Sequence, residues 1–401
     1  MVSGRIHYRL LVTTDNLRNL MQSQLLHSFE SNFSRIPLIA FAPGRINLIG
    51  EHTDYQEGFV FPAAVDFGIY VGIQKNDLTY CRLYSMDFDQ EYSFELDYFS
   101  PKNGHWATYV MGMCALMKQS GYKLEGFDLV IGGNIPVGSG LSSSAALSVA
   151  IGTAISGLFK FEIPKKNIAL YAQKSEHLYA GVKCGIMDPY ASAFGAEGKA
   201  LLLDCRSNTH QEISVDFKDF SLILVNSKVK HSLADSAYNK RREACEESVR
   251  ILQSHFPEIQ TLRDIPESEL EKVQSILPET LFPKAKHVIT ECKRVLNAAK
   301  SLSLGDLTAF GNQLNASHQS LSKDYEVSCK ELDFLAEKAQ SLEEVLGSRM
   351  MGGGFGGCTI NLVKTSFLGS FESILRESYR EKFQKESDFI PVKLSKGATL
   401  L

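Results

Sequence analysis

Four ionisable side chains lie close together in the segment APGRINLIGEHTDY, residues 42–55. They are Arg45, Glu51, His52 and Asp54, and an apolar run precedes them. Burying such groups is costly unless each finds a hydrogen-bond or charge partner. A sugar supplies such partners, because carboxylates and an imidazole exchange hydrogen bonds with several hydroxyls at fixed angles. The residues alone leave two interpretations open: a site for a polyhydroxylated ligand, or a solvated loop whose charges pair among themselves.

A glycine- and serine-rich turn, NIPVGSGLSSSAA at residues 134–146, joins a predicted strand to a predicted helix. Gly138 and Gly140 let backbone N–H groups approach a ligand without interference from a Cβ atom. The free N–H groups at the start of the helix favour an anion, and one serine hydroxyl could bind Mg²⁺. The pattern predicts a phosphate-binding loop, and the alternative is a tight turn with a helix-capping serine. A Walker A pattern is absent, and Ser143 stands where a dinucleotide fingerprint needs its third glycine.

Both segments resemble signatures of one enzyme superfamily. The turn is similar to the P-x-x-x-G-L-S-S-S-A-A motif of the GHMP kinases, which bind the phosphates of ATP with it. The earlier segment carries every fixed position of G-R-x-N-L-I-G-E-H-T-D-Y, the signature of the galactokinase family within that superfamily. The resemblance covers most of the chain, except about the first thirty residues and parts of 255–285, and further matching motifs lie at 105–112, 175–192, 225–245, 320–335 and 348–360.

The resemblance implies roles in catalysis and sugar binding. Asp188 would orient the C1 hydroxyl of galactose or accept its proton, and the choice between the two is left open. Arg45 would lie beside the phosphoryl group during transfer. Positioning and electrostatics carry most of the rate of such a reaction. The residues that would bind the sugar are Glu51, His52, Asp54, Gly185, Asp188 and Tyr238.

The resemblance also implies sites for ATP and Mg²⁺. Ser144 and Glu176 would hold the metal, whose hardness suits oxygen ligands; taken alone, Glu176 could be a solvated surface carboxylate. The only tryptophan, Trp106, would flank the adenine, and core packing is its alternative. A glycine run at 352–357 resembles the third GHMP motif, or else is a flexible turn. The residues that would contact the nucleotide are Trp106, Gly138, Ser139, Gly140, Leu141, Ser142, Ser143 and Ser144.

Two positions depart from the family pattern. Pro189 follows Asp188 where many members carry glutamine, a change that could alter the loop bearing Asp188. Met351 stands before the glycine run where threonine or serine is usual, and it adds bulk near the nucleotide or the sugar. Neither change removes a catalytic group.

Strand-like and helix-like patterns alternate along the chain and must position these motifs. We predict strands at 36–43, 59–65, 69–74, 80–84, 91–96, 127–133, 200–205, 221–227 and 358–363. We predict helices at 16–31, 106–118, 144–157, 166–180, 234–253, 282–300, 306–320 and 329–340, with a loop at 181–196. The mixture predicts an α+β protein. We expect a two-domain GHMP-kinase-like fold, each half a mixed or antiparallel β-sheet packed with helices, with the active site in the cleft between residues 1–197 and 198–401.

The bulk composition is that of an ordinary soluble globular protein, with 44% hydrophobic and 22% charged residues. The formal net charge of −4 gives no reason to expect nucleic acid or an anionic membrane as a partner. The eight cysteines are scattered without a C-x-x-C pair, which indicates reduced thiols. The sequence shows neither a signal-peptide pattern nor an apolar run of the ~18 residues that a membrane-spanning segment needs. We therefore expect a cytoplasmic monomer or weak oligomer whose ligands are small molecules.

The sequence as a whole predicts ATP-dependent phosphorylation of the C1 hydroxyl of D-galactose, the first step of galactose metabolism. One alternative is a kinase for N-acetylgalactosamine, since the sugar signature is shared and the room around C2 is not visible in a sequence. A different GHMP substrate, such as mevalonate or homoserine, is disfavoured by the intact E-H-T-D-Y segment. A non-catalytic sugar and ATP sensor on the same scaffold is disfavoured by the intact Arg45, Asp188 and GLSSSAA turn.

Overall fold

The computed structural model describes residues 14–100, 104–229 and 234–401. Within these ranges thirteen strands form three sheets, and eleven α-helices pack around them. The strands are β1 (Leu38–Asn47), β2 (Phe59–Val60), β3 (Pro62–Lys75), β4 (Tyr80–Ser85), β5 (Gln90–Glu95), β6 (Phe127–Gly133), β7 (Lys199–Asp204), β8 (Thr209–Ser214), β9 (Phe220–Asn226), β10 (Val345–Met351), β11 (Cys358–Lys364), β12 (Asp388–Pro391) and β13 (Thr399–Leu400). The helices are α1 (Thr14–Phe33), α2 (Ala107–Gln119), α3 (Ser143–Phe159), α4 (Lys165–Ser175), α5 (Met187–Phe194), α6 (Ala234–Leu252), α7 (Leu270–Ile276), α8 (Phe282–Ser303), α9 (Leu307–Lys323), α10 (Lys330–Gln340) and α11 (Leu368–Phe383).

The first sheet has the strand order β13-β1-β3-β6-β4-β5 and is antiparallel except for the parallel pair β4–β6. Its central strands are apolar on both faces because both faces are covered. Ile39 and Phe41 of β1 pack with α1, whereas the alternate residues Ala40 and Ala42 pack with α3. Gly68 of β3 allows this close packing, because a Cβ there would lie 2.4 Å from the ring of Phe41.

The second sheet is antiparallel, with the strand order β10-β11-β9-β12. Alternate residues of β9 again face different helices. Leu222 and Leu224 pack with α8 and α9, and Ile223 and Val225 pack with α10 and α11. This arrangement places α8 between the second sheet and the first half of the chain, where it reaches the segment that follows β1.

A third, antiparallel sheet of three strands has the order β2-β7-β8. Its first strand comes from early in the chain and its other two from the middle. The last strand, β13, pairs with β1 and places Leu400 opposite Ala40. The end of the chain therefore completes the sheet of the first half, and a division at residues 197 and 198 stays a prediction.

The sequence misassigned the segments on either side of Asp188. The stretch 181–196 is not a continuous loop, because α5 occupies much of it. Pro189 lies in the first turn of α5, where a helix has no partner for the N–H that proline lacks. It therefore helps to begin a helix and does not alter a loop. The helix predicted over 166–180 ends at Ser175, and Glu176–Ala180 form a π-helical turn.

The other predicted helices agree with the structure to within three residues at either end. The strands predicted at 59–65 and 69–74 were divided wrongly: a short β2 is followed by one unbroken β3 of 14 residues. A polar residue and a glycine interrupt the apolar pattern of β3, yet β1 pairs with it along most of its length. No helix in the described part of the chain is long and apolar enough to cross a membrane.

Candidate active site

Two neighbouring cavities open where the two halves of the chain meet. The smaller, of about 310 Å³, is lined by residues of the 42–55 signature, by Tyr238 of α6 and by the turn after β10. The larger, of about 1330 Å³, extends from Trp106 along the glycine-serine turn. Arg45 and Asp188 line both cavities and therefore stand at their junction. The fold thus brings the separated motifs of the sequence to one place.

Arg45 and Asp188 form a bidentate ion pair at this junction. Arg45 follows a register shift between β1 and β3, and Asp188 lies in the first turn of α5. The guanidinium donates from Nε to Oδ1 and from Nη2 to Oδ2, each at 2.7 Å, and from Nη1 to the carbonyl of Gly140 at 2.6 Å. Burial opposes the charge, but Asp188 and then Glu51 raise the pKa of Arg45. Pairs of this form are strong and fixed in geometry.

Ser142 is a further partner of the Asp188 carboxylate. Its hydroxyl donates to Oδ2 of Asp188, and its backbone is left-handed, with φ 56°. That conformation costs a non-glycine residue on the order of 1–2 kcal/mol. The sequence predicts a nucleotide contact for Ser142, and the structure adds this contact with the carboxylate.

Glu51 is held by side-chain and backbone donors from the opposite half of the chain. Its Oε1 accepts from Nη2 of Arg349 at 3.0 Å and from the N–H of Gly352 at 2.8 Å. The side chains of Glu51 and Arg349 are 2% and 0% exposed. Arg349 also donates to the carbonyls of Leu48, at 2.7 Å, and of Asn47. One buried guanidinium therefore fixes both the carboxylate and the backbone that leads to it.

Two buried side chains of α8 hold the same stretch of backbone. Glu291 accepts from the N–H of Gly50 at 3.1 Å, and His287 donates from Nε2 to the carbonyl of Glu51 at 3.1 Å. Burial opposes ionisation of Glu291, but Arg294, which donates to it at 2.6 Å, lowers its pKa. The backbone of the sugar signature is thus tied to α8 by groups that water does not reach.

We call Arg349, His287 and Glu291 the signature clamp. Sequence reasoning missed all three, because they lie 236 or more residues from the backbone or carboxylate they hold. One signal was available: Arg349 is a charged residue in the apolar strand that leads to the glycine run. A charge in such a strand is costly unless it is paired.

His52 and Asp54 line the smaller cavity, and burial shifts the pKa of both side chains. Burial, and after it the neighbouring His287, lowers the pKa of His52 to about 3, so the imidazole is neutral. Burial, and after it repulsion by Asp188, raises the pKa of Asp54 to about 7. Near neutral pH Asp54 therefore exists in both the protonated and the ionised form.

Gly185 and Tyr238 complete the set of residues that are predicted to bind the sugar. A Cβ at Gly185 would lie 1.6 Å from Oδ2 of Asp54, so a side chain does not fit there. The ring of Tyr238 lies 5.1 Å from that of His52. The structure brings together on one cavity all the predicted members, Glu51, His52, Asp54, Gly185, Asp188 and Tyr238. Their individual contacts with a sugar stay predictions.

The glycine-serine turn lies along the larger cavity. Every residue that is predicted to contact the nucleotide lines this cavity. Gly138 and Gly140 have φ of 71° and 70°, in the region that favours glycine. The hydroxyl of Ser139 is buried and has no hydrogen-bond partner among the described residues. Val137 is 84% exposed. Because α3 begins at Ser143, the start of a helix faces the cavity and favours an anion there.

Ser144 and Glu176, the predicted metal ligands, face each other. The hydroxyl of Ser144 donates to Oε2 of Glu176 at 3.3 Å. Glu176 is 5% exposed and begins the π-helical turn, a feature frequent at functional sites. Burial, and after it Asp188, raises the pKa of Glu176 to about 7. A carboxylate and a hydroxyl suit Mg²⁺, although residues 14–100, 104–229 and 234–401 contain no group of three or more His, Cys, Asp or Glu able to hold a metal.

Trp106 and Met351 are both buried and both line the larger cavity. Trp106 is 8% exposed, its Nε1 donates to Gln90 at 3.3 Å, and His105 stacks on its ring. It is therefore part of the core of the first half, and its contact with adenine stays a prediction. Met351 belongs to the same apolar cluster as Leu141. Its bulk lies beneath the glycine-serine turn.

Comparisons with known proteins agree with this geometry. The family described as "GHMP kinases N terminal domain" matches residues 108–196, and "GHMP kinases C terminal" matches residues 298–379. The "Galactokinase galactose-binding signature" matches residues 27–75. The crystal structure of Lactococcus lactis galactokinase complexed with galactose is similar, with a TM-score of 0.92 and 37% identity over 95% of this chain and 100% of that chain.

Two relatives are similar over nearly their whole length. The galactokinase of Roseiflexus sp. (strain RS-1) is 39% identical over 375 residues, which are 93% of this chain and 96% of that protein. The galactokinase of Chloroflexus aurantiacus (strain ATCC 29366 / DSM 635 / J-10-fl) is 42% identical over 359 residues, 89% of this chain and 92% of that protein. The fold and the arrangement of its motifs are those of a GHMP kinase. Within this class, the chain belongs to the galactokinase family.

Proposed function

We propose that this protein transfers the γ-phosphoryl group of ATP to the C1 hydroxyl of D-galactose, giving galactose 1-phosphate and ADP. Its relatives are named galactokinases, and the neighbouring crystal structure is a complex with galactose. The observation that carries the proposal is that the Arg45–Asp188 pair lines both cavities. A group at that junction meets the acceptor hydroxyl on one side and the transferring phosphoryl group on the other.

In the proposed mechanism Asp188 orients the C1 hydroxyl or accepts its proton. Arg45 holds the carboxylate by two hydrogen bonds and stabilises negative charge that builds on the phosphoryl oxygens. Ser142 donates to the same carboxylate. Since phosphoryl transfer needs little covalent help, these fixed donors supply most of what the protein contributes.

The sugar would be bound by Glu51, His52 and Asp54, with the backbone at Gly185 and the hydroxyl of Tyr238. We assign to Asp54 the bond to the axial C4 hydroxyl that distinguishes galactose from glucose. A site built around such a bond rejects the wrong epimer by ~10⁴ or more, because buried polar groups are left unpaired.

Mg²⁺ would be held by Ser144 and Glu176, whose oxygens already face each other at 3.3 Å. When bound, the ion supplies neutralisation of the phosphate charge. Water and phosphate oxygens would complete the coordination, as is common for Mg²⁺. The residues of the glycine-serine turn and Trp106 would contact the nucleotide.

We further propose two domains, residues 1–197 and 198–401, and a cytoplasmic monomer or weak oligomer. Support for a reducing compartment comes from the cysteines, all eight of which are free thiols, most of them buried. Light scattering on the purified protein measures the mass of the particle, and a tight oligomer would contradict this part.

The function is tested by ADP release from Mg·ATP with galactose, N-acetylgalactosamine, glucose, mevalonate or no acceptor. We expect galactose-dependent turnover far above the rest. Turnover on N-acetylgalactosamine in place of galactose would mean that the site selects the substituent at C2 of the sugar. Turnover on mevalonate would overturn the assignment of a sugar as the substrate. A folded protein that binds galactose and ATP without turnover would be a sensor.

A further inference from the structure

Three polar side chains form a hydrogen-bonded chain that ends on the imidazole of His52. The hydroxyl of Tyr55 lies 2.9 Å from Nδ1 of His52. The hydroxyl of Tyr325 lies 2.6 Å from that of Tyr55, and Sγ of Cys245 lies 3.1 Å from the hydroxyl of Tyr325. On the other side of the ring, Nε2 lies 3.1 Å from the carbonyl oxygen of Gly353. The function proposed above gives Tyr55, Tyr325 and Cys245 no role.

The Gly353 carbonyl decides which atom donates in each contact. A carbonyl oxygen only accepts, so Nε2 of His52 must carry a proton. A neutral imidazole then has a bare Nδ1, and the hydroxyl of Tyr55 must donate to it. Because the single hydrogen of Tyr55 is engaged, its oxygen accepts from Tyr325. The oxygen of Tyr325 in turn accepts from the thiol of Cys245.

The groups in this hydrogen-bonded chain are uncharged near neutral pH, as these donor and acceptor roles require. Burial, and after it His287, lowers the pKa of His52 to about 3. Burial raises the pKa values of Tyr55 and Tyr325 well above the usual one, and it raises the pKa of Cys245 to about 12. The three donors therefore keep their protons, and the imidazole has only one.

Three tyrosine rings surround the ring of His52. Tyr325, Tyr238 and Tyr55 lie with ring centroids 4.9, 5.1 and 5.9 Å from it. Tyr325 and Cys245 are fully buried. The backbone of His52 is left-handed, with φ 61°, which costs on the order of 1–2 kcal/mol and persists because the surroundings hold it.

We propose that Tyr55, Tyr325 and Cys245 are positioning residues that fix His52 as the Nε2–H tautomer, so that this ring can only donate to the sugar. The inference rests on the proposed function, because it concerns how the same cavity reads a hydroxyl. Both His52 and Gly353 line that cavity. A sugar hydroxyl that meets the imidazole is therefore the acceptor in that contact, beside or in place of the Gly353 carbonyl.

Nitrogen-15 spectroscopy of the full chain labelled at histidine tests the tautomer directly. The variant His52→Gln identifies the signals of His52 by their loss. We expect a protonated Nε2 and a bare Nδ1, both without sugar and with saturating galactose. Tyr55→Phe removes the donor to Nδ1, so the Nδ1 signal should move; Tyr325→Phe should move it less. A proton on Nδ1 in the wild type, or an Nδ1 signal unaffected by Tyr55→Phe, would overturn the proposal.

A matched control is Tyr379→Phe, which removes a buried hydroxyl that donates to the carbonyl of Ser227 at 2.8 Å and does not line the cavity that contains His52. It should leave the His52 signals unchanged. Steady-state kinetics should show a rise in KM for galactose of roughly 5- to 20-fold in Tyr55→Phe, while KM for ATP stays within about twofold. An equal rise in both constants would mean a purely structural role.

Two outcomes keep this test separate from that of the proposed function. If the wild type does not phosphorylate galactose, the proposed function fails, yet the spectrum without sugar still decides the tautomer. If Tyr55→Phe does not fold, the wild-type spectrum and the smaller change in Tyr325→Phe decide it.

Discussion

The segment that follows β1 and the glycine-serine turn meet at Arg45 and Asp188, and these two loops differ in how tightly the rest of the protein holds them. The backbone of residues 47–51 is held by the signature clamp, whose donors and acceptor come from the other half of the chain. The glycine-serine turn has exposed Val137 at its start, and a Cβ at Gly138 would meet nothing within 4 Å. The first loop is fixed from several sides, whereas the tip of the second, at Val137 and Gly138, is open to solvent.

This difference fits what each loop would bind. A sugar is distinguished from its epimers by the direction of single hydroxyls, so its donors and acceptors must be fixed before binding. A phosphate chain is recognised by charge and by many backbone N–H groups, so a turn rich in glycine suffices. We therefore expect the clamp to support selectivity for the sugar, and the turn to support affinity for any nucleotide phosphate.

The largest effect is expected where the two loops meet. Asp188→Ala should lower kcat by ~10²–10⁴, or about 3–5 kcal/mol of barrier, and Arg45→Ala should be comparably damaging. Ser142→Ala, which leaves the Arg45 pair intact, should cost less. Steady-state kinetics on variants whose melting temperature is checked measures all three. Near-wild-type turnover by folded Asp188→Ala would refute the role of this carboxylate.

Replacing Arg349 in the signature clamp should strongly destabilise the folded protein. Arg349→Met removes the ion-pair partner of the buried Glu51 and takes a donor from three backbone carbonyls. We expect a loss of ~3–5 kcal/mol in the free energy of unfolding, as for other broken buried pairs. The matched control is Arg250→Met, whose side chain is 71% exposed and pairs with Glu247; it should cost far less, because an exposed ion pair contributes little to stability. Urea unfolding compares the two, and similar losses would contradict the contrast.

Substituting alanine for one glycine in each loop tests how tightly the two loops are packed. At Gly50, with φ 104°, a Cβ would lie 2.8 Å from Val295 Cγ2 and 2.9 Å from the carbonyl of Phe59. At Gly138, with φ 71°, it would meet nothing. Gly50→Ala should therefore lose more than ~2 kcal/mol, and Gly138→Ala only ~1 kcal/mol from its backbone angle. Unfolding curves measure both losses, and the reverse order would show that the turn is the more tightly held loop.

The smallest effect is a dependence of stability on pH. Asp54 has a raised pKa of about 7 in the folded protein, so it keeps a proton that the unfolded chain has released above its ordinary pKa of ~3.9. Wild-type stability should therefore fall as pH rises from ~4 to ~7, relative to Asp54→Asn. Because Asp54 is only partly buried, we expect about 1–2 kcal/mol. Unfolding at pH 5 and pH 8 without ligand measures it, and parallel profiles would contradict the raised pKa.

Much of the fold and of the site could be predicted from the sequence. Helices with clear apolar spacing, such as α6 and α8, were predicted to within three residues. The motifs that carry Arg45, Glu51 and Asp188 were visible because each is contiguous in the chain. The prediction failed over α5, because the residues on both sides of Asp188 were assigned to a loop. Proline is tolerated in a first helical turn, and a sequence pattern does not show which role it takes.

The sequence by itself determined the class of chemistry, the two loops and the residue types that line the two cavities. Only the tertiary structure decided what holds them: the signature clamp, the contact of Ser142 with Asp188, and the hydrogen-bonded chain behind His52. The physical reason is that these partners are buried polar groups from distant segments, as in the 298 residues that separate Glu51 from Arg349. A buried donor must find an acceptor, but which one it finds depends on how the sheets pack.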